Sequence, residues 1–356
     1  MLDLSIVIVS FNTRDLLLQC LRSVVGGVNL ETQAVASSHE SDSPSEEPLG
    51  VVDERSAVGD ERLPAAKECL AVATEHLTAS GGPLSAEIWV VDNSSTDGST
   101  RAVAADFPDV RLISNERNRG FAAACNQAIR QCNGRYVLLL NPDTVLLGDA
   151  LQELVNFADR HPRVGIVGGQ LVYPDGSFQH SAFRFPTLPM AFLDFFPINH
   201  RLINSRLNGR YPASAYGQPF PVDHPLGAAM LVRKDVFDQI GFLDEDFFIY
   251  CEEIDLCIRA RRAGWDIYCV PSARIVHYSA QSTRQVRARM LVELYRSRYR
   301  LFRKHYGGVY NHLVRAIIRL GVLGEVVGGL LRVFRKEVTV EQLKEMSSAY
   351  WAIFRM

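Results

Sequence analysis

The chain has 356 residues, of which 47% are hydrophobic and 22% charged, with a formal net charge of -2. That length suits one large α/β unit with an appendage, and that apolar content supports a proper core. Seven scattered cysteines (Cys20, Cys69, Cys125, Cys132, Cys251, Cys257 and Cys269) form no C-x-x-C pair, which argues against zinc or a disulfide framework and for a reducing cytosol.

Leu4 to Ser10 is an apolar run that reads as a first strand. With Asp3 before it in place of a basic region, it is not expected to be a signal peptide. A helical pattern occupies 13–25. The first crossover is then interrupted by an insertion over 27–86. Within it, residues 31–62 hold nine acidic and two basic side chains. Its composition cannot repay ordering, so disorder is expected at least over 36–62, with a short helix at 64–79.

Strands at 87–92, 110–114, 135–140 and 164–168 alternate with helices at 98–106, 121–132 and 148–160. This alternation predicts a mostly parallel sheet with helices on both faces and right-handed crossovers. Ligands of such sheets bind at the carboxyl ends of the strands. From 170 to 225 the sequence turns Pro- and aromatic-rich, with Phe183, Phe185, Phe192, Phe195 and Phe196. That suits either acceptor-binding loops or ordinary packing. A strand is expected near 227–232, then helices at 234–240 and 250–263, the second stopped by Gly264, and strands near 266–269 and 274–278.

Beyond 285 the pattern is helical, with fourteen basic and five acidic side chains, a net of +9. Such a tail suits an anionic partner, membrane or nucleic acid. No stretch reaches the roughly 18 apolar residues of a spanning helix, because Arg319 and Glu325 interrupt the best candidate. The part before 285 is expected to be soluble.

The chemistry-bearing residues cluster after the predicted strands. Asp92 ends the second and could accept the imide N–H of uracil or thymine, with Ser10 and Asn12 after strand one beside it. Asp92, Asn93 and Ser95 are equally good caps for the next helix. Asn118, Arg119 and Gly120 precede a helix N-terminus, which favours phosphate. Asn141 and Asp143 follow Tyr136–Leu140, a run buried on both faces. A carboxylate there suits a hard divalent cation shared with substrate phosphates, although Asn-Pro-Asp is also good turn chemistry. His277 closes a late strand, as a ligand or as a core residue. Glu252, Glu253 and Asp255 open a helix, where they complement its dipole and could supply a base.

In chain order, Leu4–Asn12, Val91-Asp92-Asn93-Ser94-Ser95-Thr96-Asp97-Gly98, Asn118-Arg119-Gly120-Phe121, Leu140-Asn141-Pro142-Asp143, Gly227-Ala228-Ala229-Met230-Leu231-Val232 and Phe247–Leu256 resemble an inverting family-2 glycosyltransferase. The resemblance is to the rhamnosyltransferase-like branch and covers about residues 1–280 apart from the insertion. It implies an α/β GT-A (Rossmann-like) fold with a C-terminal helical extension. A nucleotide-sugar-binding half would span 1–145, an acceptor-binding and catalytic half 146–284, and a basic extension 285–356.

The resemblance also implies roles. Asp92 would hold the nucleobase, and Asp143 with His277 would bind Mg2+ or Mn2+ on the diphosphate. Ser10, Asn12, Asn118, Arg119, Gly120, Asn141 and Gly227 would complete the donor site. Glu253 stands where the family usually has Asp, one methylene shorter, so either Glu253 or Glu252 is the base. The implied donor is dTDP-L-rhamnose or another dTDP- or UDP-sugar. The implied acceptor is a cell-surface glycan or lipid-linked sugar, reached from the cytoplasmic membrane face through amphipathic stretches such as Leu291–Phe302 and Ile317–Phe334. Helix packing or a dimer contact would explain those stretches as well. No nucleic acid is implied. A catalytically inactive sugar-nucleotide-binding module is the alternative. A sugar-nucleotide pyrophosphorylase would want a Gly-rich, Arg/Lys-bearing loop after strand one, which Ser10-Phe11-Asn12-Thr13-Arg14 lacks.

Overall fold

A computed structural model describes residues 2–30, 84–196, 202, 205–279, 287–335 and 339–356. The expected disorder over 36–62 and the helix at 64–79 therefore lie outside the described residues. The insertion is shorter than expected, because Val28–Leu30 (β2) already pairs in parallel with the start of Leu84–Asp92 (β3).

Leu4–Ser10 (β1) pairs in parallel with β3 on one side and with Tyr136–Leu140 (β5) on the other. Arg111–Ser114 (β4) extends the far edge of β3. Helix Arg14–Val25 (α1) follows β1, Ser99–Asp106 (α2) follows β3, and Phe121–Ile129 (α3) precedes β5. Alternate residues of each central strand serve opposite layers. On β1, Leu4, Ile6 and Ile8 pack on one side with Leu17, Leu21 and Leu154, while Val7 and Val9 pack on the other with Ala124 and Ala128.

The second half departs from the simple parallel expectation. Ala229–Arg233 (β8) runs antiparallel between β5 and Val164–Val172 (β7). Its amino end therefore arrives at the sheet edge where β1, β3 and β5 deliver their carboxyl ends. The two short strands expected near 266 and 274 are one long strand, Asp266–His277 (β9), with an irregularity between Val270 and Arg274. Past that irregularity β9 pairs with Thr144–Leu146 (β6), placing His277 opposite Thr144. Ala150–Arg160 (α4) covers one face, and Lys234–Ile240 (α6) and Glu252–Arg262 (α7) cover the other.

Within the aromatic stretch Phe183, Phe185 and Phe195 pack against the fold, whereas Phe192 is exposed and stacks on Phe196. Phe183 and Phe185 stack on His224, and Phe195, on helix Leu188–Phe195 (α5), stacks on Tyr295. Three helices follow, Arg287–His305 (α8), Gly308–Phe334 (α9) and Val340–Arg355 (α10). They share a core of Tyr295, Tyr299, Phe302, Val314, Ile318 and Ile353 with α5. Leu291, Tyr295, Tyr299 and Phe302 of the Leu291–Phe302 stretch are thus turned toward this core.

Candidate active site

A cavity of about 360 Å³ opens where the strand ends meet. The motifs converge there, because parallel strands bring residues distant in sequence to one edge. Asn118, Gly120, Asn141, Asp143, Gly227, Glu252, Glu253 and His277 all line it, with Phe11 and Asn93.

Five expected site residues, Asp92 among them, do not line it. Ser10 is buried, its hydroxyl 3.0 Å from that of Thr13. Asn12 ties two loops together, its side chain accepting from Thr96 N at 2.8 Å and its own N–H donating to Ser95 Oγ. Arg119 is exposed away from the cavity. Asp255 belongs to an ion cluster described below.

Asp92 sits behind the Asn93 wall, only 3% exposed. Its Oδ2 accepts from Ser95 N at 3.0 Å, whereas its Oδ1 is buried with no hydrogen-bond partner among the described residues. The N-cap position of α2 is Gly98, not Asp92, Asn93 or Ser95, and Asp97 before it accepts from Ser99 N at 3.0 Å. A buried, unsatisfied carboxylate oxygen costs about 1–3 kcal/mol, a cost that a ligand N–H would relieve.

Asn93 organises the neighbouring loop, a role beyond its expected capping. Its side chain accepts from Arg119 N and donates to Asn118 Oδ1, both at 2.9 Å. Gly120 at φ +85 lets the Phe248 backbone come close, and an added Cβ would lie 2.5 Å from Phe248 O. Phe121 N donates to that same oxygen at 2.6 Å. The amides of residues 119–121 are therefore satisfied within the protein and are not a free phosphate cradle. The expected close approach at Gly120 is real, but the neighbour is the 247–251 loop.

That loop carries the two glutamates. Tyr250 and Cys251 both hold positive φ, 69° and 67°, a conformation costing about 1–3 kcal/mol per non-glycine residue. Phe247 is fully buried and Ser297 of α8 donates to Ile249 O at 2.7 Å, so the C-terminal extension helps hold the strained turn. Glu253 faces Gly227, whose position would bring a Cβ within 3.4 Å of Glu253 Cγ.

Burial raises the pKa of Glu253 to about 7, while the amides of Cys251, Glu253 and Ile254 pull the other way. Glu252 lies deeper, with Oε2 buried and unpartnered. Burial first, and then the charge of Glu253, raise its pKa well above the usual carboxylate range. Two adjacent carboxylates do not ionise together readily, and the deeper burial of Glu252 favours its protonated form. A group poised near 7 is suited to take a proton at neutral pH.

Asp143 and His277 form the other pole. Both are buried, with His277 Nε2 3.6 Å from Asp143 Oδ1. Burial lowers the pKa of His277 although Asp143 pulls it up, keeping the ring neutral. Gln179 Oε1 lies 3.3 Å from His277 Nδ1, so an N–H placed there donates to it and leaves the Nε2 lone pair toward Asp143. No group of three or more His, Cys, Asp or Glu converges among the described residues. One carboxylate and one neutral imidazole do fit a divalent cation that completes its shell with diphosphate oxygens.

Asp255 does different work. Its fully buried carboxylate meets Arg259 at 2.8 Å, Lys304 at 2.7 Å and His305 at 2.6 Å. Burial would raise its pKa, but hydrogen bonds from Lys304 and His305 and the charge of Arg259 bring it below the ordinary value. Burial lowers the pKa of His305 despite Asp255. Arg262 meets His305 Nδ1 at 3.0 Å, which leaves Nε2 to carry the proton given to Asp255. Asp255 thus fastens α8 to α7 and is not a base candidate. Arg289 and Met290 at the start of α8 line the cavity. They were not singled out from the sequence, because nothing local distinguishes Arg289 from the other cations of the tail.

A family model described as "Glycosyl transferase family 2" matches residues 64–241. N-acetylglucosaminyl-diphospho-decaprenol L-rhamnosyltransferase of Mycobacterium tuberculosis (strain ATCC 25618 / H37Rv) is 31% identical over 248 residues, covering 65% of this chain and 79% of that protein. Rhamnosyltransferase WbbL of Escherichia coli (strain K12) is 27% identical over 202 residues, 56% and 69% of the two chains. Among solved structures, mannosyltransferase PcManGT from Pyrobaculum calidifontis, in complex with GDP-Man and Mn2+, superposes with a TM-score of 0.50 at 14% identity. That match covers 99% of this chain and 87% of the other and concerns the fold alone. The GT-A fold implied by the motifs is borne out.

Proposed function

Because this chain belongs to glycosyl transferase family 2 and is a glycosyltransferase, we propose that it moves L-rhamnose from a deoxythymidine or uridine diphosphate sugar to a hydroxyl of a lipid-linked glycan. The observation that carries the reading is the meeting of Glu253 with the Asp143–His277 pair on one cavity. The names of the mycobacterial and E. coli relatives support rhamnose, and the first supports an acceptor carried on a diphospholipid. The orphaned Asp92 Oδ1 supports a uracil or thymine base, whose N3–H cytosine lacks. Buried free thiols at all six described cysteines suit a cytoplasmic setting.

In this reading Glu253 removes the proton of the acceptor hydroxyl as that oxygen attacks the anomeric carbon. The bond from that carbon to the diphosphate breaks, and the configuration inverts. The nucleoside diphosphate leaves as a stable anion, so a single base suffices where an inverting glycosidase needs an acid and a base. A divalent cation held by Asp143 and His277 would offset the charge on the diphosphate. Arg289, exposed on the cavity rim with no ion-pair partner among the described residues, is placed to add a second positive charge.

Two measurements test the two poles. Thermal shift against a panel of dTDP-, UDP- and CDP-sugars with Mn2+ or Mg2+ should favour thymidine and uridine donors, because ligand binding to the native state raises apparent stability. Equal stabilisation by CDP-sugars would remove the role of Asp92. In Asp143→Ala the metal-dependent part of dTDP binding should disappear, and in His277→Ala it should weaken less; a chelator effect equal to wild type in both would place the metal elsewhere. The base predicts an acid limb. Glu253 must be ionised, so kcat/KM should fall as pH drops below about 7 and level off above it. In Glu253→Gln the limb should vanish.

A further inference from the structure

The outer face of α9 is apolar along most of its length. Leu313, Leu320, Leu323, Val327, Leu331 and Phe334 recur at helical spacing and are each between 47% and 88% exposed. At 1.5 Å rise per residue the stripe runs about 30 Å. An apolar face this continuous marks an interaction surface rather than scattered exposure.

The helix cannot roll to hide the stripe, because its other side is taken. Val314, Ile318 and Val322 are buried in the C-terminal core. Gly321 lies against the Phe195 ring of α5 so closely that an added Cβ would collide with it. No helix of the described residues is long and apolar enough to cross a membrane, so an occupant must lie alongside α9.

We propose that this face docks in the plane of an anionic lipid bilayer. Arg319, at one edge of the stripe, reaches Phe354 O of α10 at 3.3 Å. Beside Phe354 lies Trp351, half-exposed and with the Arg355 guanidinium over its ring. Arg335 is exposed at the far end. An apolar face bordered by arginines and an interfacial tryptophan matches headgroup depth. The extension's net charge of +9 over 285–356 attracts anionic lipid and repels a second copy of itself. Met290 and Arg289, at the start of the neighbouring α8, line the cavity, so the docking helix belongs to the same helical unit as the rim of the site. This narrows the membrane role from the whole basic tail to one face of one helix.

The test is flotation of the full chain with phosphatidylcholine vesicles, with and without about 30% phosphatidylglycerol. It needs neither donor nor acceptor, so its outcome stands apart from the transfer reaction. Wild type should float with the anionic vesicles, less with pure phosphatidylcholine, and less again at high salt. The triple variant Leu320→Glu, Val327→Glu, Leu331→Glu should lose more than about tenfold in bound fraction, with no fall in melting temperature because all three side chains are exposed. Wild type that stays with the unbound protein, or a variant that floats equally well, overturns the proposal. So does a wild-type dimer in light scattering that becomes monomeric in the variant while neither floats, which would assign the face to a second copy.

Discussion

Glu253→Gln should lower turnover at saturating donor and acceptor by about 10²–10⁴-fold, the usual value of a general base. Donor affinity and melting temperature should stay near wild type, because the substitution keeps the shape and removes only the ability to take a proton. Glu253→Asp should retain substantial activity. Glu252→Gln should be mild, within about tenfold, and should leave the acid limb in place. Burial and the charge of Glu253 favour the protonated form of Glu252, the form that Gln imitates. Steady-state rates for the three variants decide the assignment. A collapse in Glu252→Gln alongside near-normal Glu253→Gln would move the base to the deeper carboxylate.

Asp255→Ala should be among the most destabilising single changes outside the core, and should damage activity only by way of the fold. Removing one partner from a buried ion pair costs about 3–5 kcal/mol, and the lower end applies because Lys304 is 35% exposed and partly screened. The loss should loosen α8, which also supplies Ser297 to the strained 247–251 turn. Hydrogen exchange should therefore quicken at both places, and truncation before 287 should inactivate the enzyme although Glu253 and Asp143 lie upstream. The pH dependence has a definite sign. Asp255 titrates lower in the folded chain, so its contribution is present above the ordinary aspartate range. It is lost as pH falls through the lowered folded value. An Asp255→Ala protein with wild-type melting temperature and unchanged exchange in α8 would contradict this role.

Much of the first half was legible from residue pattern alone. The runs at Leu4–Ser10 and Tyr136–Leu140 have no polar alternation, which is how a strand covered on both faces must look. Strand direction was not legible, since Ala229–Arg233 would have the same buried pattern running either way. Among the three carboxylates of α7 the local sequence gives no distinction. What separates Asp255 from Glu252 and Glu253 is contact with Lys304 and His305, about fifty residues later. Arg289 is hidden for the same reason, as one cation among fourteen in the extension until the fold aims it at the cavity rim. The extension itself divides by burial. Leu291–Phe302 and Gly308–Phe334 are both amphipathic, yet α8 turns Tyr295, Tyr299 and Leu301 inward while α9 leaves its stripe outside.

The central claim is a single displacement driven by one carboxylate on a thymidine- or uridine-diphosphate sugar. It is tested most directly by the anomeric configuration of the product, read by NMR after reaction of the full chain with dTDP-L-rhamnose, Mn2+ and an N-acetylglucosaminyl diphospholipid. Transfer with the anomeric configuration opposite to that of the donor is predicted, and it should be lost in Glu253→Gln. A product that retains the donor's configuration, or an acceptor left unmodified while wild type binds both substrates, would contradict the account.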